Sequence, residues 1–202
     1  MTPLTIFTKN YSLPEIDRQE VLRYMGCREF SEELDLLYSS ALGEISNTQV
    51  GKVCYAIFPV VRCDDHIDLG FSKTQSKALT NHLDGCDEII LFAATVGIEY
   101  DRTISKFSKI SPSMALCADA IGNERIERLC DLFCEDMQVK FKKNNRILRS
   151  RFSAGYGDLP LELQNDIFSA LSPYSRIGLT LNDSLLMSPT KSVSAIIGIK
   201  NI

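Results

Sequence analysis

The chain has 202 residues, 45% of them apolar and 24% charged, the profile of a globular protein with ample material for a core. Lys plus Arg number 22 against 26 Asp plus Glu, so the net charge of -4 gives no general attraction to nucleic acid. No segment approaches the roughly 20 apolar residues that cross a bilayer, and "MTPLTIFTKNYSLPEIDRQE" lacks the basic start and apolar run of a signal peptide. A cytoplasmic location is therefore expected. The seven cysteines, an odd and scattered set with no Cys-x-x-Cys pair, fit it.

The first helix expected is "EIDRQEVLRYMG", with Asp17 as cap, Glu20 at capping-box spacing and Gly26 as stop. In "SEELDLLYSSALGEIS", Ser31 is the cap, and Leu34, Leu37, Tyr38, Ala41, Leu42 and Ile45 recur at helical spacing. "KVCYAIFPVV" is dense in β-branched and aromatic residues and reads as a strand. After the turn region "RCDDHIDLGF", Ser72 is expected to open a helix that Gly85 stops. "EIILFAATVG" is a second strand-length apolar run.

Two helical segments follow, "IEYDRTISKFSKI" and the long "SMALCADAIGNERIERLCDLFCEDMQVKFKK". In the long one, Glu124, Glu127, Asp131 and Glu135 form an acidic row beside an apolar stripe that includes Ile121, Leu129 and Phe133, which reads as a solvated face. Cys130 and Cys134 share a face, and without a second pair they read as buried thiols rather than metal ligands. The basic run "KFKKNN" with Arg146, Arg149 and Arg151 suits the end of a helix, where cations meet the dipole; an acidic partner or an anionic ligand is the alternative. "LPLELQNDIFSAL" reads as a helix capped by Asp158. The last segment, "IGLTLNDSLLMSPTKSVSAIIGI", breaks into strands and turns. These elements, without a strict βαβ rhythm, predict one α+β domain: a helical N-terminal portion over residues 1–50 forms one compact unit with residues 51–202.

Hydrolase, P-loop and dinucleotide-binding strings are absent, and only two histidines, His66 and His82, are available. "DDHIDLG" is close to the Asp-x-His-x-x-Gly loop that offers a histidine to cobalt, but Gly70 arrives one residue late. "RFSAGYGDLP" is a coherent physical set. Arg151 can grip a carboxylate through paired hydrogen bonds. Gly155 and Gly157 let the backbone approach a ligand, and Tyr156 offers a flat ring and a hydroxyl. The set fits an amphoteric small molecule, such as an amino acid joined to a base. It fits equally well a tight turn beside a surface arginine.

"RFSAGYGDLPLELQNDIFSAL", "IGLTLNDSLLMSPTKSVSAIIGI", "LFAATVG" and "ADAIGNERIE" together resemble the activation domain of cobalamin-dependent methionine synthase, and the short stand-alone proteins related to it. The similarity runs from about Lys52 to Ile199 and is most specific in the last 50 residues. It implies a C-shaped α+β domain with a central antiparallel sheet flanked by helices. It also implies S-adenosylmethionine in a shallow groove on an Arg-x-x-x-Gly-Tyr motif, matched by Arg151, Gly155 and Tyr156. By this resemblance Arg151 holds the methionine carboxylate. Main-chain groups of Ser153, Ala154 and Gly155 meet the amino group and the adenosine, and Tyr156 shapes the pocket. An acid on the long helix also touches the ligand in the family, and Asn123, Glu124 and Glu127 are the positions offered here. "LMSPTKSVS" matches a turn that faces the cobalamin. The implied function is reductive methylation of cob(II)alamin carried by a partner, either cobalamin-dependent methionine synthase or another corrinoid protein, with electrons from a flavodoxin-type donor.

Overall fold

The computed structural model describes residues 5–29, 31–45 and 50–201. Ser46, at the end of the second expected helix, and residues 1–4 lie outside the described residues. Strand β1 (Phe7–Ser12) comes first, in a portion expected to be helical. Helix α1 (Arg18–Met25) follows; Asp17 accepts from the amides of Gln19 and Glu20, and Gly26 closes it at φ 72°. The reciprocal half of the capping box is not made. Glu20 holds Arg23 instead, and the Asp17 amide donates to Glu124 at 3.1 Å. Helix α2 (Glu32–Glu44) begins at the Ser31 cap, as expected.

Strands β2 (Val50–Pro59), β3 (Val61–Arg62), β4 (Ile67–Asp68) and β5 (Lys73–Thr74) precede helix α3 (Lys77–His82). The helix thus starts after Ser76 and not at Ser72. Lys73 and Thr74 pair with β4, the Ser72 hydroxyl donates to Asp166, and Ser76 caps Leu79. Strand β6 (Cys86–Thr95), helix α4 (Glu99–Phe107) and helix α5 (Pro112–Lys142) then match the sequence reading. The basic run is divided: α5 ends at Lys142, Asn145 turns the chain at φ 56°, and Arg146–Phe152 forms strand β7. Helix α6 (Leu163–Leu171), helix α7 (Pro173–Ile177) and strands β8 (Thr180–Leu181), β9 (Met187–Ser188) and β10 (Ser192–Asn201) complete the chain. No side chain caps α6, because Asp158 serves the start of α3.

Five strands form an antiparallel sheet in the order β1-β2-β6-β10-β7. The three central strands are apolar at nearly every position because both faces are covered. Val53 and Tyr55 of β2, with Ile90, Phe92 and Ala94 of β6, face α1, α2, α4 and α5. The alternate residues Cys54, Ala56, Phe58, Ile89, Leu91 and Ala93 face α3, α6 and α7. Phe133 of α5 lies 4.8 Å from Phe92 and 5.3 Å from Tyr55, centroid to centroid, which locks the long helix to the sheet centre.

A buried ion pair ties the N-terminal segment to α5. Arg125 donates to Glu124, one bond being 2.7 Å, and also to the carbonyls of Pro14 and Glu15; the two side chains are only 4% and 5% exposed. Further along α5, Lys9 and Tyr11 of β1 both donate to Asp136. Burial raises the Asp136 carboxyl, but those hydrogen bonds outweigh it and hold the group below its ordinary value.

Two predictions follow from this packing. Arg125→Met strands Glu124 in the core and should lower stability by about 3–5 kcal/mol, read from urea unfolding, while Glu124→Leu/Arg125→Met should recover most of the loss. The thiols divide by burial: Cys27 and Cys63 are exposed, whereas burial pushes Cys54, Cys117 and Cys134 up to about 11 and Cys130 to about 12. Iodoacetamide at about pH 8 should therefore label Cys27 and Cys63 first in the native protein, with Cys130 adducts appearing only on unfolding, as peptide mapping would show.

Candidate functional site

Arg151 reaches its position through a bulge on the edge strand β7. Arg151 pairs with Ile197 and Leu148 with Ile199, so Arg149 and Ser150 together oppose Gly198. The extra residue reverses the alternation and turns Arg151 toward α5, the side on which Leu148 also packs. There its Nη2 donates to Glu127 at 3.0 Å and to Asp131 at 3.1 Å. Both bonds use one nitrogen, and Nε and Nη1 meet no carboxylate or carbonyl among the described residues.

The acidic row is thus not a plain solvated face. Glu124 is buried on Arg125, Glu127 and the exposed Asp131 hold Arg151, and the exposed Glu135 pairs with half-buried Arg128. Burial raises the Asp131 carboxyl above its ordinary value despite the opposing charge of Arg151. Of the three positions left open by sequence, Asn123 joins Asp119 and Lys191, Glu124 joins Arg125, and Glu127 meets Arg151. Asp131 was not singled out, although its spacing of four from Glu127 sets both acids on one helical face.

Beside this pair, a groove of about 440 Å³ runs between α1 and α5, lined by Glu15, Glu20, Tyr24, Glu127 and Asp131, with Arg128 as its one cation among the lining residues. Its walls are mostly carboxylate. A ligand of net positive charge suits such a groove.

Ser153 to Tyr156 are brought together in a compact turn after β7. Gly155 donates its amide to Leu159 at 2.9 Å, and Tyr156 donates to Ser153 at 3.2 Å. The turn needs its glycines: φ is +86° at Gly155 and +58° at Gly157, and a Cβ on Gly157 would lie 3.0 Å from that of Ala78. Asp158 then accepts from the amides of Lys77 and Ala78, fixing the turn to α3, and its carboxyl falls below the ordinary range chiefly through the Ser76 hydroxyl. The Tyr156 ring is 72% exposed and meets Phe152 edge-on at 6.4 Å. The turn is therefore fastened to α3, while the guanidinium is fastened to α5.

The segment Leu186–Ser194 is tethered by polar side chains. Thr190 donates its amide and hydroxyl to Asp101 of α4. Lys191, 7% exposed, spans to Asp119 at 2.6 Å and Asn123 at 2.7 Å on α5. No group of three or more His, Cys, Asp or Glu among the described residues is arranged to hold a metal, and no helix there is long and apolar enough to cross a membrane.

No family model and no curated protein matches the sequence. Among solved structures, the chain is similar to the crystal structure of the MetH reactivation domain bound to AdoHcy, with a TM-score of 0.68 and 18% identity over 98% of this chain and 79% of that one. At that identity the likeness establishes a shared fold: the five-stranded sheet and its helical covers are those of a known α+β architecture.

Proposed function

We propose that the chain is an S-adenosylmethionine-binding reactivation component of a cobalamin-dependent methionine synthase, supporting reductive methylation of cob(II)alamin on a partner protein. One observation carries the reading. The Arg-x-x-x-Gly-Tyr string leaves an edge strand within a fold shared, over 98% of the chain, with a domain solved with AdoHcy bound.

The residues present fit an amphoteric sulfonium ligand. Among the described residues no carboxylate occupies Nε or Nη1 of Arg151, whose guanidinium also lies beside the Cys130 thiol, and Glu127 and Asp131 supply acceptors for an ammonium within the same cluster. The carboxylate-lined groove favours the net positive charge of the whole molecule. Main-chain groups of Ser153, Ala154 and Gly155 would hold the amino group and nucleoside, and the exposed Tyr156 ring would bound the pocket. Bound there, the ligand would supply a methyl group on a sulfonium. The chain's contribution is placement rather than proton transfer. The corrinoid, carried by the partner, and a flavodoxin-type electron donor belong to the same proposal. So does a cytoplasmic location, in keeping with seven free cysteines.

A second reading is favoured by the fact that Arg151 already holds two internal acids and that the Gly155 and Tyr156 amides are used within their own turn. On that reading the chain is a non-catalytic adaptor that binds a corrinoid protein without a methyl donor. Calorimetric titration with S-adenosylmethionine separates the two. Saturable binding, weakened by about 2 kcal/mol or about 30-fold in Arg151→Ala, supports the reactivation reading. Absence of binding, with retained capture of a corrinoid protein, supports the adaptor.

A further inference from the structure

The groove beside Arg151 has two walls of matched spacing. Asp17, Glu20 and Tyr24 line it from the start of α1 onward, and Glu124, Glu127 and Asp131 line it from α5. Each set runs i, i+3, i+7, so each lies along one side of its helix. Burial raises the Tyr24 phenol, and the Glu127 carboxylate on the opposite wall raises it further. Arg23, itself held by Glu20, packs its guanidinium on the Tyr24 ring at 4.5 Å.

The buried Glu124–Arg125 pair holds the first wall against the second. Residues 13–17 are irregular, so their polar main-chain groups need partners from elsewhere. Arg125 donates through Nη1 to the Pro14 carbonyl at 2.5 Å and through Nη2 to the Glu15 carbonyl at 3.2 Å. Glu124 Oε1 accepts from the Asp17 amide at 3.1 Å and from Arg125 Nη2 at 2.7 Å. Asp17 in turn caps α1 with its side chain, so the anchor passes directly into the helix that carries Glu20 and Tyr24.

Stability alone does not call for such a pair. Two buried charges lose much of their attraction to desolvation, and apolar residues of like volume commonly serve a fold as well. Apolar residues cannot, however, hold two carbonyls and an amide of an irregular segment. We propose that Glu124–Arg125 is a positioning pair for ligand binding: it fixes residues 14–17 and α1 as a preformed wall of the groove beside Arg151. This role rests on the S-adenosylmethionine reading of that groove and gives the N-terminal portion of the chain a part in it. A wall already in place spares the ligand the cost of ordering it, so loosening the wall weakens affinity while Arg151, Glu127 and Asp131 are untouched.

The test pairs calorimetric titration of S-adenosylmethionine with amide hydrogen exchange in the full chain. Arg125→Lys keeps a cation beside Glu124 and every side chain that lines the groove, but its single ammonium has no fork to span the Pro14 and Glu15 carbonyls. It should bind S-adenosylmethionine about fivefold more weakly than the native chain. Glu124→Leu/Arg125→Met should lose about tenfold or more, and its Asp17 amide should exchange faster while the amides of β6 keep native protection. Should the double variant fall short of native stability, Arg125→Lys decides by the same two readouts. Native affinity in the variants would overturn the positioning role and leave the S-adenosylmethionine reading standing. Weaker binding with equally faster exchange throughout β6 would overturn it as well, because the pair would then serve only the global fold. No binding by the native chain would overturn the reading and the positioning role together.

Discussion

A sheet whose central strands are apolar on both faces has to be covered twice, and the rest of this structure answers that demand. β2, β6 and β10 place alternate residues in two separate cores, one under α5 and its companions, the other under α3, α6 and α7. Burial of this kind, at about 25 cal/mol per Å² of apolar surface, supplies the driving force for the fold. It also decides where polar chemistry can exist. Within the five-stranded sheet the edge strands β1 and β7 are the more polar ones, which favours the sheet margins and the loops that leave them as places for functional groups.

The candidate site follows from that preference. β7 is an edge strand, free to accommodate a bulge, and the bulge sends Arg151 toward α5 while Phe152 stays with the other core. The free edge is itself blunted: Gln138 accepts from the Leu148 amide and His82 donates to the Ser150 carbonyl. What remains is a guanidinium with two acids on one nitrogen, beside a carboxylate-lined groove. An isolated guanidinium would attract any anion. One flanked by acids discriminates toward ligands that carry both signs of charge.

Helix α5 links the regions. Its buried Glu124–Arg125 pair fastens the loop before α1, Glu127 and Asp131 fasten β7, Asp136 fastens β1, and Asp119 with Asn123 fastens the Lys191 turn. One helix thus sets the relative placement of the groove, the arginine and the turn.

The sequence by itself determined whatever depends on neighbours within a few residues. Asp17, Ser31 and Gly26 act through amides at most four positions away, and the apolar runs of β2 and β6 and the periodicity of α5 are likewise local. The glycines of "RFSAGYGDLP" announced a turn, and their positive φ values show why. Tertiary structure alone decided the partners that lie far along the chain. Asp158 looked like the cap of the helix that follows it, but it caps a helix 81 residues earlier. Arg151 looked free, and its acids lie 24 and 20 residues back on α5. β1 and β7 carry mixed polar residues with little period, because an edge strand buries less and borrows its register from its neighbour. Local propensity is written residue by residue; the pairing of distant charges is settled only when the packed core brings them within hydrogen-bond reach.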